Sequence, residues 1–134
     1  MRRRGRSLVC LLALCALLAG CAKPATQDPT ALRPLSVAAV SVEIGVGSPI
    51  PVEIVASGDW PDLCAQLAQV TSKIHGTTIE IGLYATAAKA DCPPDHVGVP
   101  FRIAVPLNPV ELPAGTYAIN VNGVSASLTW PPQP

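Results

Sequence analysis

Three observations predict an all-β fold, a sandwich of two antiparallel sheets with about seven strands. From residue 35 onward, apolar and polar residues alternate with a period of two in one segment after another, the pattern of half-buried strands. Clusters of Gly, Pro, Asn and Asp separate these segments at short intervals. Near the C-terminus, Asn122-Gly123 lies between two matched alternating runs, the strongest short-range hairpin signal a sequence carries.

Taken in order, the chain first shows an export signal. Arg2, Arg3, Arg4 and Arg6 precede an uncharged run of Leu, Ala, Val and Cys over residues 8–19, and small residues then lead into Cys21. A helix rising about 1.5 Å per residue needs about twenty residues to cross the hydrocarbon core, so this run is too short to stay as a transmembrane span. Leu18-Ala19-Gly20-Cys21 resembles the lipobox of bacterial lipoproteins. That resemblance implies a signal peptide over residues 1–20, cleavage before Cys21, thioether diacylglycerol on Cys21 and further acylation, with palmitate as an expected chain. Two or three acyl chains, at about 0.8 kcal/mol per buried methylene, make a durable membrane anchor.

Removal of the signal changes the charge and cysteine counts. Residues 21–134 keep five basic residues against nine acidic ones, a formal charge of −4, and no basic patch that would suit a nucleic acid. Cys10 and Cys15 leave with the signal and Cys21 takes lipid, so Cys64 and Cys92 remain. Two thiols in an exported domain are expected to pair, and only one pairing exists. The spacing lacks the CxxC pattern of a redox pair. Residues 21–34 are rich in Pro, Thr and polar groups, with Leu32 as their one large apolar residue, and read as a flexible tether. Fully extended, it could hold the domain about 40 Å from a lipid surface.

The domain, residues 35–134, then supplies its strands. Val40, Val42, Ile44 and Val46 alternate with polar or small residues, and Val52, Ile54 and Ala56 do so after a turn containing Gly45, Gly47 and Pro49. Residues 64–74 are ambiguous between strand and helix. Leu63, Leu67, Val70 and Ile74 fall at helical spacing with Pro61 near a first turn, whereas a hairpin turning at His75-Gly76 would place Ile74 opposite Thr77, Val70 opposite Ile81 and Ala68 opposite Leu83. The strand is preferred because that register aligns Val70 and Ala68 with the apolar face of Ile79, Ile81 and Leu83. Val97, Val99, Phe101, Ile103 and Val105 form another alternating run, with Pro100 marking an edge or a bulge. In the last hairpin Val121 should face Val124 and Ile119 should face Ala126.

The segment from Leu112-Pro113-Ala114-Gly115-Thr116-Tyr117 through Val121-Asn122-Gly123 resembles the penultimate strand and final hairpin of immunoglobulin-like domains. Together with the two cysteines and the Asp59 to Asp62 turn, it also resembles uncharacterised β-sandwich domains of exported bacterial proteins. The second resemblance spans about Ile50 to Trp130 and implies a fold and no active site.

Catalytic material is sparse. Asp91, Asp95 and His96 cluster around Cys92, but their spacing matches no established metal site. His75 fits a turn position, where His tolerates the left-handed region. Glu43, Glu53 and Glu80 read as solvated strand faces rather than a glycosidase pair, which needs a cleft. Trp60, flanked by Asp59 and Asp62, is the candidate binding loop, since an exposed Trp anchors many interfaces; packing at a sandwich end is its plainer role.

The expectation is a lipid-anchored cell-envelope protein, non-enzymatic, without metal or cofactor, that binds an envelope protein or polymer. With two membranes, Ala22 after Cys21 implies by the lipoprotein resemblance the outer membrane, facing the periplasm; with one, the outer face of that membrane. The alternatives are an inhibitor or accessory protein of an exported enzyme and, third, a small hydrolase.

Overall fold

The alternation read from the sequence produces strands throughout. A computed structural model describes residues 31–93 and 98–133. The signal, Cys21, the tether up to residue 30, and Asp95 and His96 lie outside the described residues. Eight strands follow in order: β1 (Arg33–Pro34), β2 (Val37–Ile44), β3 (Val52–Asp59), β4 (Leu67–His75), β5 (Thr78–Ala85), β6 (Pro100–Leu107), β7 (Gly115–Val121) and β8 (Val124–Trp130). One 3₁₀ turn, Pro109–Glu111, precedes β7; its cap, Asn108, accepts a hydrogen bond from the Val110 N–H at 3.2 Å.

Two sheets pack face to face. The smaller has the order β2-β3-β6, all antiparallel. In the larger, β4 pairs with one edge of β5, while the other edge of β5 is shared by β1 and β7, and β8 completes the sheet beyond β7. Val52, Ile54 and Ala56 of β3 meet Ile79, Ile81, Leu83, Tyr117, Ile119, Val121 and Leu128 in one core. The largest core side chains, Ile54 and Leu83 among them, are almost wholly removed from water. On the outer face of the smaller sheet, Val55 is also buried; the register sets it opposite Ser41 and Ala104, on the diagonal between Glu43 and Arg102, which form an ion pair.

The ends of the sandwich differ. β1, the β3–β4 connection and the Asn122-Gly123 turn lie at one end. The β2–β3 turn, the β4–β5 turn and the 3₁₀ turn lie at the other, where β8 also finishes opposite Gly115.

Several expectations are corrected. The larger sheet is not wholly antiparallel, because β5 and β7 run parallel with Ile79 beside Ile119. The chain leaves β5, crosses to the smaller sheet as β6 and returns, so β7 re-enters in the direction of β5. Arg33 and Pro34, read as tether, instead pair with Ala85 and Tyr84, and Leu35 is buried beside them. The β4–β5 register is displaced by two residues: Val70 stands opposite Leu83 and Ile74 opposite Ile79. The cause is the turn, which is Gly76-Thr77; Gly76 takes φ 58° while His75 stays paired with Thr78 and does not enter the left-handed region. A shift of two preserves the face, so the apolar side chains still point toward the core side. They are not covered there, however: Leu67, Val70 and Ile74 remain 40 %, 42 % and 44 % exposed. β2 and β8 come together at one side of the sandwich, so a three-stranded sheet laid against a wider one leaves β4 overhanging at the other.

The final hairpin follows its expected register, with Val121 opposite Val124 and Ile119 opposite Ala126. Asn122 and Gly123 supply φ 48° and 94°, the positive angles that a type I′ turn requires.

Candidate functional site

The residues singled out as a binding loop meet at the end of the sandwich where the chain enters. β3 ends at Asp59, which is exposed. The Trp60 N–H then donates to the Val99 carbonyl at 2.8 Å, which fixes the backbone, and the Trp60 ring packs on Phe101 with centroids 5.4 Å apart and planes tilted by 56°. Trp60 is half-buried against the core. It caps the sandwich, as the plainer role had it, rather than standing free at a loop tip.

Asp62 organises the turn that follows. Its Oδ1 accepts the Cys64 N–H at 2.9 Å, and its carbonyl accepts the Ala65 N–H at 3.3 Å. Such local acceptance is what Asp supplies in turns. Its Oδ2 accepts Arg33 Nη1 at 2.7 Å, and Arg33 Nε donates to the Thr86 carbonyl at 2.9 Å. Thr86 in turn donates its N–H to the Gln66 carbonyl and accepts the Gln66 N–H on its hydroxyl. Arg33 thereby ties β1 to both connections at this end. Arg33 Nη2 is buried with no hydrogen-bond partner among the described residues.

Cys64 and Cys92 are joined, with Cα atoms 5.9 Å apart, as the cysteine count predicts. Asp62 Oδ1 lies 3.6 Å from Cys92 Sγ; a half-cystine sulfur carries no proton, so this is a contact and not a hydrogen bond. Asp62, Cys64 and Cys92 come close enough to resemble a ligand set. Their chemistry does not suit a metal, since a bonded pair of sulfurs offers no thiolate and the carboxylate is already paired with Arg33.

The electrostatics point the same way. The Arg33 hydrogen bond, helped by the Cys64 N–H and by the Arg33 charge, holds the Asp62 carboxyl below its ordinary range against the opposing effect of burial. A general acid at neutral pH needs the opposite displacement. Asp62 is built to stay ionised and to hold Arg33. Asp91 is exposed beside Cys92, and Asp95 and His96 fall outside the described residues.

One polar residue at this end was not found by sequence reasoning. The Asn122 side chain donates from Nδ2 to the carbonyls of Leu35 and Leu83, both at 2.8 Å, and accepts the Leu83 N–H on Oδ1 at 3.0 Å. It fills the gap on the edge of β5 between β7 and β1. The Asn-Gly dipeptide announces the backbone turn, but no local signal discloses a side chain bridging segments 87 residues apart. Arg33 was hidden likewise, its partner lying 29 residues away.

With this geometry in place, the family model described as the ORF11 beta-sandwich domain matches residues 54–130, more than half of the chain, and the chain belongs to that family. The matched span begins within β3 and closes with β8, so β1 and β2 precede it. No curated protein and no solved structure matches the chain.

Proposed function

We propose that this member of the ORF11 beta-sandwich family is a lipid-anchored, non-enzymatic binding module of the cell envelope, carried on Cys21 by a short tether. The observation that carries this reading is the junction at Arg33. Arg33 and Pro34, which follow the polar segment, are fastened to the sandwich by a two-residue strand, an ion pair and a hydrogen bond to Thr86. A domain held by its N-terminal segment gains from such an attachment. The arginine-rich start, the twelve-residue apolar run and Leu18-Ala19-Gly20-Cys21 support an anchor on that side. Among the described residues, no helix is long and apolar enough to cross a membrane.

The disulfide supports an exported location, because such bonds persist in oxidising compartments. The non-enzymatic part of the reading is supported at the entry end, where the Asp62 carboxylate is held ionised and already paired with Arg33. In an envelope with two membranes the protein would sit on the outer membrane and face the periplasm; with one, on that membrane's outer face. Its partner would be an envelope protein or polymer.

The test is fractionation with crosslinked pull-down, comparing the intact chain with Cys21→Ser behind a non-lipid export signal. The intact chain is expected in the membrane fraction and the variant in the soluble one. Equal partition of the two would overturn the anchor. A partner recovered with both forms would locate binding in the sandwich itself.

A further inference from the structure

Apart from the two-residue β1, four strands bound the sheets, and three of their edges are protected. β2 and β8 lie together where the sheets approach. On β6, the Trp60 N–H reaches the Val99 carbonyl, so odd-numbered residues turn their backbone groups to β3 and even-numbered ones turn theirs outward. Pro100 and Pro106 both fall in the outward set, where they remove an N–H from either end of that edge.

β4 has no such protection. The carbonyls of Thr77, Ile81 and Leu83 serve the β7 and β1 side of β5, so Thr78, Glu80, Gly82 and Tyr84 face β4. Their register partners are His75, Lys73, Thr71 and Gln69. Val70, Ser72 and Ile74 therefore turn N–H and C=O to the open edge, and β4 contains no proline. The side chains of Val70 and Ile74 lie on the uncovered core-side face described above.

We propose that β4 pairs with β4 of a second copy of this chain, antiparallel, about a two-fold axis through Ser72. In this register Val70 of each copy faces Ile74 of the other and Ser72 faces Ser72. Each of these pairs joins residues whose backbone groups point outward, so each can exchange both hydrogen bonds, and all the edge groups of Val70, Ser72 and Ile74 are satisfied. A one-residue slip would set outward groups against inward ones.

Charge is compatible with the same axis. On the outer face Lys73 meets Thr71 and Gln69 meets His75, so no like charges stand directly opposite, while Lys73 keeps Glu80 opposite it on β5. The Val70–Ile74 contacts extend an apolar strip that the smaller sheet leaves bare. An interface of one strand pair is narrow and belongs to the weak class. A second copy is favoured over a diffusing partner by the length of chain before β1, which rests on the anchor reading. Copies attached at Cys21 through about ten residues share one thin layer and meet at high effective concentration.

The experiment is site-specific oxidation of the full chain in cells, read on non-reducing gels of the membrane and soluble fractions. Ser72→Cys should shift to twice the monomer mass and return on reduction. Val70→Cys alone and Ile74→Cys alone should stay monomeric, whereas the two co-expressed with different tags should join each other. Adding Ile74→Lys to Ser72→Cys, an inward charge on an edge strand, should abolish the shift while circular dichroism keeps its strand signature. No shift with Ser72→Cys, an equal shift with Val70→Cys alone, or a product at some other protein's mass would each overturn the pairing. The fractions separate the two claims: a dimer in the soluble fraction ends the anchor and keeps the pairing, and a membrane-bound monomer does the reverse.

Discussion

Asp62 and Asn122 both help to hold the entry end together, and they do so by different physics. Asp62 acts through charge. Because its folded pKa lies below the unfolded value, its contribution is fully present above about pH 4 and is lost as the pH falls through the folded pKa. Asp62→Asn should therefore lower stability by about 1–2 kcal/mol at pH 7, with the gap to the parent closing in acid; urea midpoints across pH 2–7 would measure it. Asn122 acts through geometry, with φ 48° at the turn and three side-chain hydrogen bonds. Asn122→Gly keeps the turn conformation and removes the bridge, so a loss of about 1–3 kcal/mol in urea unfolding would report the bridge alone. The turn was legible in the dipeptide. The bridge and the Arg33 partner were not, because both depend on which distant segments the fold brings side by side.

Among the elements, β4 explains why its sequence reads two ways. A bulge between Leu67 and Gln69 lets Ala68 pass without a partner, so Leu67 and Val70 share a face at a spacing of three, and regular pleating then adds Ile74 at a spacing of four. Three followed by four is also the spacing of a helix face. The strand preference held because Ile79, Ile81 and Leu83 required a partner on the same face; the exact pairing escaped because it turned on which residue of the hairpin takes positive φ. β2 and β3 depend instead on a close approach. A Cβ on Gly58 would stand 2.3 Å from the Ser36 carbonyl oxygen and 2.9 Å from the Phe101 ring. Gly58→Ala should therefore cost about 1–3 kcal/mol, seen as a lower thermal midpoint with earlier amide exchange in β2 and at Ser36. At Gly115, where a Cβ meets nothing within 4 Å, the same substitution should be nearly silent.

For the whole molecule, the sandwich was legible because alternation and turn chemistry agree along the chain, and the two cysteines that remain once the expected signal and lipid site are set aside named their own pairing. The parallel β5–β7 contact was not, since it arises from a crossover through the other sheet and leaves no mark on either strand. The bond between Cys64 and Cys92 closes a 28-residue separation. On the chain-entropy model it should contribute about 3–4 kcal/mol, so the Cys64→Ser/Cys92→Ser double variant should unfold at a correspondingly lower urea concentration than the parent. Placement of the two chain ends has a further consequence, for orientation. β1 enters beside Asp62 and the disulfide, and β8 finishes at the far end. A molecule held through its N-terminal segment has a base and a crown. The disulfide and Trp60 make up the base. Val46, fully exposed on the β2–β3 turn, and Val110 on the 3₁₀ turn make up the crown, and in an antiparallel β4 pair the base of one copy stands beside the crown of the other, so two copies held on one surface lie with their strands along it.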